Sequence, residues 1–113
     1  MSKFGLYSDK PSIPFESHLE ELEKEEIKTS LLNLRNFVKS LGNNVIEEVR
    51  PHRIVYSKSL AFRSFLDIQP RKDCLIISIK KGRIQPVTTH RVNSSQQLED
   101  IKYQIAEAYK KIR

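Results

Sequence analysis

The middle of the chain, from Arg53 to Val92, reads RIVYSKSLAFRSFLDIQPRKDCLIISIKKGRIQPVTTHRV. Its apolar positions recur with a period of two, and β-branched and aromatic residues dominate it, the pattern of half-buried strands. Four strands are expected: Arg53 to Ser57, Leu60 to Ile68, Asp73 to Lys80, and Pro86 to Val92. In the second of these, Leu60, Phe62, Leu66 and Ile68 fall on one face, while Arg63, Phe65 and Asp67 fall on the other. The connections Lys58-Ser59, Gln69 to Lys72 and Lys81 to Arg83 are too short for crossovers, so neighbouring strands should run antiparallel as a meander.

Helical periodicity brackets this stretch on both sides. After it, Ser94 is an expected N-cap with Gln97 as its capping-box partner, and Leu98, Ile101, Ile105, Ala108, Tyr109 and Ile112 form one apolar stripe. Before it, Ser17 and Glu20 suggest a capping box, and Ile27, Leu31, Leu34, Val38 and Leu41 recur at three- and four-residue spacing. Gly42 stands where that helix would stop. Residues 1–15, with Pro11, Pro14 and the aromatics Phe4, Tyr7 and Phe15, have neither period and are read as an arm. The segment Val45 to Val49 fits either a helical turn or a strand. The expectation is one α+β domain over 16–113, a two-layer arrangement of N-terminal helix, four-stranded antiparallel meander and C-terminal helix.

Charge is distributed unevenly. The chain of 113 residues has a formal net charge of +6, yet residues 50–91 alone hold ten Lys/Arg against two Asp/Glu. A segment more basic than the whole chain is the usual footprint of a polyanionic partner. The N-terminus is too polar for a signal peptide, and no apolar run approaches the ~20 residues that span a bilayer, so no membrane role is expected. The one cysteine, Cys74, adjoins the apolar Leu75-Ile76-Ile77 and is expected to be buried and structural, in a reducing, cytoplasmic setting.

Catalytic chemistry finds little support. A restriction-type nuclease needs an acid on one strand and, on the next, an acid two residues before a lysine; Asp67 fits the first, but Ser78 precedes Lys80 where the second carboxylate belongs. His52, Cys74 and His90 have none of the spacings of a zinc site, and Gly5, Gly42 and Gly82 are too isolated for a phosphate loop. A cleft formed by Tyr56, His52 and His90 is a third, weaker idea for a small-molecule site. No metal, cofactor or enzymatic activity is expected. The acidic run Glu20 to Glu26 reads as a solvated helix face.

Several segments taken in order resemble a prokaryotic family of small domains loosely labelled "predicted transport protein". They are His18-Leu19-Glu20, Leu34-Arg35-Asn36-Phe37-Val38 through Leu41-Gly42, Ile54-Val55-Tyr56-Ser57-Lys58 with Ala61-Phe62, Ile68-Gln69-Pro70-Arg71-Lys72, and Ala106-Glu107-Ala108-Tyr109. Members of that family often form the tail of larger proteins carrying a nuclease-like domain. The resemblance therefore implies nucleic acid more than transport. Here the link from Lys81 to Pro86 is shorter than the family's loop.

These readings converge on a non-enzymatic nucleic-acid-binding accessory module, for DNA or RNA. Its expected contacts are Arg53, Lys58, Arg63, Arg71, Lys72, Lys80, Lys81, Arg83 and Arg91, with Phe65 on the open sheet face to stack a base. The alternative is a protein-interaction or homo-oligomerisation module, a homodimer for instance, in which the open sheet face and Phe65 are covered by a partner.

Overall fold

The structure, a computed structural model, describes residues 13–58, 63–82 and 86–111, and of Arg63 the backbone alone. Two helices come first, α1 (Phe15–Glu21) and α2 (Glu25–Lys39). Five strands follow, β1 (Val45–Arg50), β2 (Arg53–Lys58), β3 (Arg63–Pro70), β4 (Leu75–Ile79) and β5 (Thr88–Val92), and α3 (Ser95–Lys111) completes the order. The strands form one antiparallel sheet in the order β1-β2-β3-β4-β5, each beside its neighbour in sequence. An α+β meander was expected, and the sheet has one strand more than the expected four.

The additional strand is β1, which Pro51 and His52 turn back onto β2 so that Arg50 pairs with Arg53. Its inward side chains are Val45, Glu47 and Val49, opposite Lys58, Tyr56 and Ile54. A glutamate at an inward position breaks the alternation by which a strand is recognised.

The single N-terminal helix is in fact two. Continuing the α2 stripe of Ile27, Leu31, Leu34 and Val38 backwards would bury Lys24, Glu23 and Glu20, so a break at Leu22 re-phases the chain. Leu22 is extended and buried, and it joins Phe15 in the core. The amide of Glu23 then donates to the carbonyl of Lys72 in the β3–β4 turn at 2.9 Å. Ser17 sits inside α1 and makes no capping box; the N-cap is Pro14, and Phe15, expected in the arm, is the first helical residue. Of that arm, residues 1–12 lie outside the described residues, as do Leu60, Phe62, Arg83 and Ile112.

The helical layer covers one sheet face. Ile54, Tyr56, Leu66, Ile68, Leu75, Ile77, Ile79 and Val92 meet Ile27, Leu31, Leu34 and Val38 from α2 and Leu98, Ile101, Ile105 and Ala108 from α3 in one core. α3 begins as expected: Ser94 Oγ accepts from the Gln97 amide at 3.2 Å, while the Gln97 side chain accepts from the Asn93 amide at 2.7 Å. Glu26 of α2 adds a carboxylate at this positive helix end, accepting from the Ser95 amide at 3.1 Å. Gly42 lies beyond the C-cap Ser40, and its role is close approach: a Cβ there would stand 2.0 Å from Tyr109 Oη.

Candidate nucleic-acid interface

Strand pairing sorts the charged residues by face and by end. Across the uncovered face, Glu48, Val55, Asp67, Ser78 and Thr89 occupy one row. Arg50 and Arg53 pair in the next row, and Arg91 pairs with Ile76 on the far side of the same sheet. β1 ends, β2 begins, β3 ends, β4 begins and β5 ends at this one end of the sheet. The exposed Arg71 and Lys72 of the β3–β4 turn join it there. His52, Arg53, Gln69 and Arg71 line a concavity of about 300 Å³ at the same place.

Three of the four arginines at this end have an acidic neighbour, and the fourth, Arg71, reaches Gln69 Oε1 at 3.4 Å. Arg50 meets Glu48 and Arg53 meets Asp67, both at 2.8 Å, and Arg91 stands 3.9 Å from Asp73. The side chains of Arg53 and Arg91 are 42% and 65% exposed, so their pairs are the solvated kind, each worth about 0–1 kcal/mol. Such guanidinium groups are readily re-paired with another anion. His18, wholly buried in α1, supports this end from beneath, its Nε2–H donating to the Arg50 carbonyl at 2.6 Å.

The other expected contacts divide differently. Lys58 lies at the opposite end of β2, about 17 Å away at the usual rise per residue. It faces the helices, where Nζ donates to the Tyr109 carbonyl at 2.8 Å and sits 4.4 Å over that ring. It thus neutralises the C-terminal end of α3. Lys81 is engaged with Glu107 of α3 at 3.1 Å. Lys80 is half-buried just past β4, at the end away from Arg53. The register places the backbone of Arg63 opposite Lys58, at that same far end.

Phe65 requires a correction. It is wholly buried and packs edge-on against Tyr109, with ring centroids 5.5 Å apart, so it offers no ring to a base. The cause is a shift in register between Tyr56 and Ser57: Tyr56 pairs with Leu66 and Ser57 with Ser64, which leaves Phe65 without a partner. Such a bulge lets successive residues turn to the same side, so Phe65 and Leu66 both reach the core. α3 covers Phe65 through Tyr109.

The most developed polar cluster was not foreseen. Glu47 Oε2 accepts from Arg35 Nε at 2.9 Å and from the Tyr56 hydroxyl at 2.7 Å, while Oε1 accepts from Arg35 Nη2 at 2.9 Å and lies 3.4 Å from Lys39 Nζ. Arg35 also stacks 4.2 Å over the Phe15 ring, so the cluster ties α1, α2, β1 and β2 together. Burial pushes the Glu47 carboxyl up, but the hydrogen bonds from Arg35 and Tyr56 and the charges of Arg35 and Lys39 outweigh it, and the net shift is downward. Burial, then the bond to Glu47, pushes the Tyr56 hydroxyl well above the usual tyrosine value. Every acceptor of Glu47 is engaged within the fold, which makes the cluster structural. Its sequence signal was Glu47 alternating with Val45 and Val49.

Other chemistry is not assembled. Asp67 pairs with Ser78, which has no carboxylate, and among the described residues no group of three His, Cys, Asp or Glu could hold a metal ion. Cys74 is buried, as expected, and His90 pairs with Ile77, three positions along from it. The Tyr56 hydroxyl is held by Glu47, whereas His52 lies exposed in the β1–β2 turn and His90 lines a different groove beside α3, so these three form no cleft. No helix of the described residues is long and apolar enough to cross a membrane.

No family model, curated protein or solved structure matches this chain.

Proposed function

We propose that this domain is a non-enzymatic nucleic-acid-binding module that grips phosphates at one end of its sheet. The observation carrying this reading is the gathering of Arg50, Arg53, Arg71, Lys72 and Arg91 where the β1–β2 and β3–β4 turns meet the end of β5. Guanidinium groups suit phosphate oxygens by bidentate geometry, and the present partners of Arg50, Arg53 and Arg91 are surface carboxylates. The resemblance to a family often joined to nuclease-like domains points the same way. The grip is electrostatic, and no described aromatic ring stands on the open face to stack a base.

Fluorescence anisotropy of labelled single-stranded RNA and DNA across a salt series tests this. About four or five phosphate contacts on a single strand give a log–log salt slope of about −3. Reversing Arg71 and Arg91 together to glutamate should flatten that slope by about 1.4, since each contact contributes about 0.7. An unchanged slope, or binding that vanishes above low salt in the native protein, sinks the proposal. A protein-interaction module is the second reading, favoured by β5, whose outer edge pairs with no described strand and is flanked by the exposed Val87. Sedimentation that shows a strict monomer, with no partner captured, would count against it.

A further inference from the structure

The two edges of the sheet differ. At the β1 edge the chain closes on itself: the Val49 carbonyl accepts from the Ile13 amide at 3.5 Å, and the Arg50 carbonyl is held by the buried His18. The β5 edge pairs with no described strand. Hydrogen-bond alternation fixes what that edge presents. The Lys80 amide donates to the Phe65 carbonyl at 3.0 Å and the Arg71 amide to the Cys74 carbonyl at 2.8 Å, so Cys74, Ile76, Ser78 and Lys80 turn their backbone groups toward β3. Leu75, Ile77 and Ile79 therefore turn theirs toward Val92, His90 and Thr88 of β5. Thr89 and Arg91 are left with N–H and C=O pointing outward. The outward run ends there, because the next such amide, that of Asn93, donates to the Gln97 side chain at 2.7 Å. Two of the three exposed large apolar side chains among the described residues flank this edge, Val87 just before β5 and Tyr103 on α3, at 50% and 69% exposure. Tyr103 is linked through Glu107 to Lys81, just past β4 and beside the start of β5.

We propose that this edge joins a second copy of the chain, β5 running antiparallel to β5 about a two-fold axis at His90. The frame is self-complementary. With His90 opposite the partner's His90, Thr89 opposes the partner's Arg91 and Arg91 opposes the partner's Thr89, each pair exchanging both of its N–H···O bonds. Every outward amide and carbonyl within β5 is then used. With histidine neutral no like charges are opposed, since each Arg91 meets a hydroxyl side chain. A foreign strand is served less well. The groove between β5 and α3, about 360 Å³, is lined mainly by polar groups, Thr89, His90, Arg91, Gln97 and Asp100, and so lacks the apolar pockets by which an added peptide is selected. A second copy brings instead its own Val87 and Tyr103, related by the two-fold to those of the first. The dimer has one continuous sheet whose open faces merge. This assembly goes beyond the phosphate-gripping reading and does not depend on it.

Sedimentation equilibrium of the protein alone at neutral pH, up to about 1 mM, reads the association. So short an edge belongs at the weak end of specific interfaces, and a Kd on the order of 100 µM is expected. Thr89→Pro removes an outward N–H that the monomer's own ladder does not use, so its thermal melt should stay close to the native one while Kd rises about tenfold or more. Charge at the same position gives a second reading. Thr89→Glu faces the partner's Arg91 twice across the axis and should tighten the dimer about fivefold, whereas Thr89→Lys should weaken it by as much. A strict monomer at the highest concentration overturns the proposal. Slow exchange of the Thr89 and Arg91 amides in that monomer would assign the edge to another part of the same chain, and fast exchange would leave it to a different protein. A dimer indifferent both to Thr89→Pro and to the sign of the charge at position 89 overturns it equally, by placing the contact elsewhere.

Discussion

The Tyr56 hydroxyl donates to Glu47 across the first strand pair at 2.7 Å, and through that carboxylate it is joined to Arg35 on the helix above. Tyr56→Phe removes one donor and leaves the Arg35 fork, so a loss of about 1–2 kcal/mol is expected. Arg35→Met strands a largely buried carboxylate and should cost more, about 2–3 kcal/mol. Urea unfolding of both single variants and the double variant measures this, and additive losses would show that the three groups do not act as one unit.

The same cluster sets an acid limit. Since the folded-state pKa of Glu47 lies below its ordinary value, its contribution is complete above that value and is lost as pH falls through the folded pKa. Stability should therefore fall below about pH 4.5, and Glu47→Gln should flatten that acid limb. Tyr56 is shifted upward, so its contribution is complete below the ordinary tyrosine pKa, about 10, and declines as pH climbs beyond it. Denaturant midpoints from pH 3 to 11 for the native protein and Tyr56→Phe separate the two limbs.

Gly42 and Gly82 should respond in opposite ways to alanine. At Gly42 the new Cβ meets Tyr109 Oη at 2.0 Å and Cζ at 2.9 Å, and the ring has little room to yield because it abuts Phe65 and its hydroxyl bonds Asn44. A loss of about 1–3 kcal/mol is expected, partly relieved by adding Tyr109→Phe. At Gly82 nothing among the described residues lies within 4 Å of the added Cβ, so stability should hold within about 0.5 kcal/mol. Thermal melts of these three variants beside the native protein check both.

Phe65→Ala should lower stability by about 3–5 kcal/mol through lost burial and the cavity it leaves. Phe65→Leu should be much milder. If the folded Leu variant binds single-stranded RNA as the native protein does, the ring has no part in recognition; a weakened affinity at unchanged stability would contradict its burial beneath Tyr109.

Much of this fold can be read from local pattern. The stripe of Leu98, Ile101, Ile105 and Ala108, the Ser94–Gln97 cap and the burial of Cys74 each follow from the residue and its immediate neighbours. What escaped depends on contacts distant in sequence. Glu47 looks wrong for a strand interior until Arg35, twelve residues earlier, is packed over it. Alternation sends Phe65 outward, and only the register against Tyr56 and Ser57 reverses it. Lys58 counts as surface charge until the end of α3 arrives above it. Of the candidate site, the residue types were legible, but sorting them between the two ends of the sheet required the strand pairing. Arg50 was missed because the segment that forms β1 stood open between a helical turn and a strand.

The break between α1 and α2 gives the helical layer a mechanical link to the basic turn. The Glu23 amide is the donor to the Lys72 carbonyl, so a tug on that turn by a bound anion is a tug on the joint between two helices. Deuterium uptake at Glu23 thereby becomes a gauge, read within the helical layer, of what happens among the arginines at the end of the sheet.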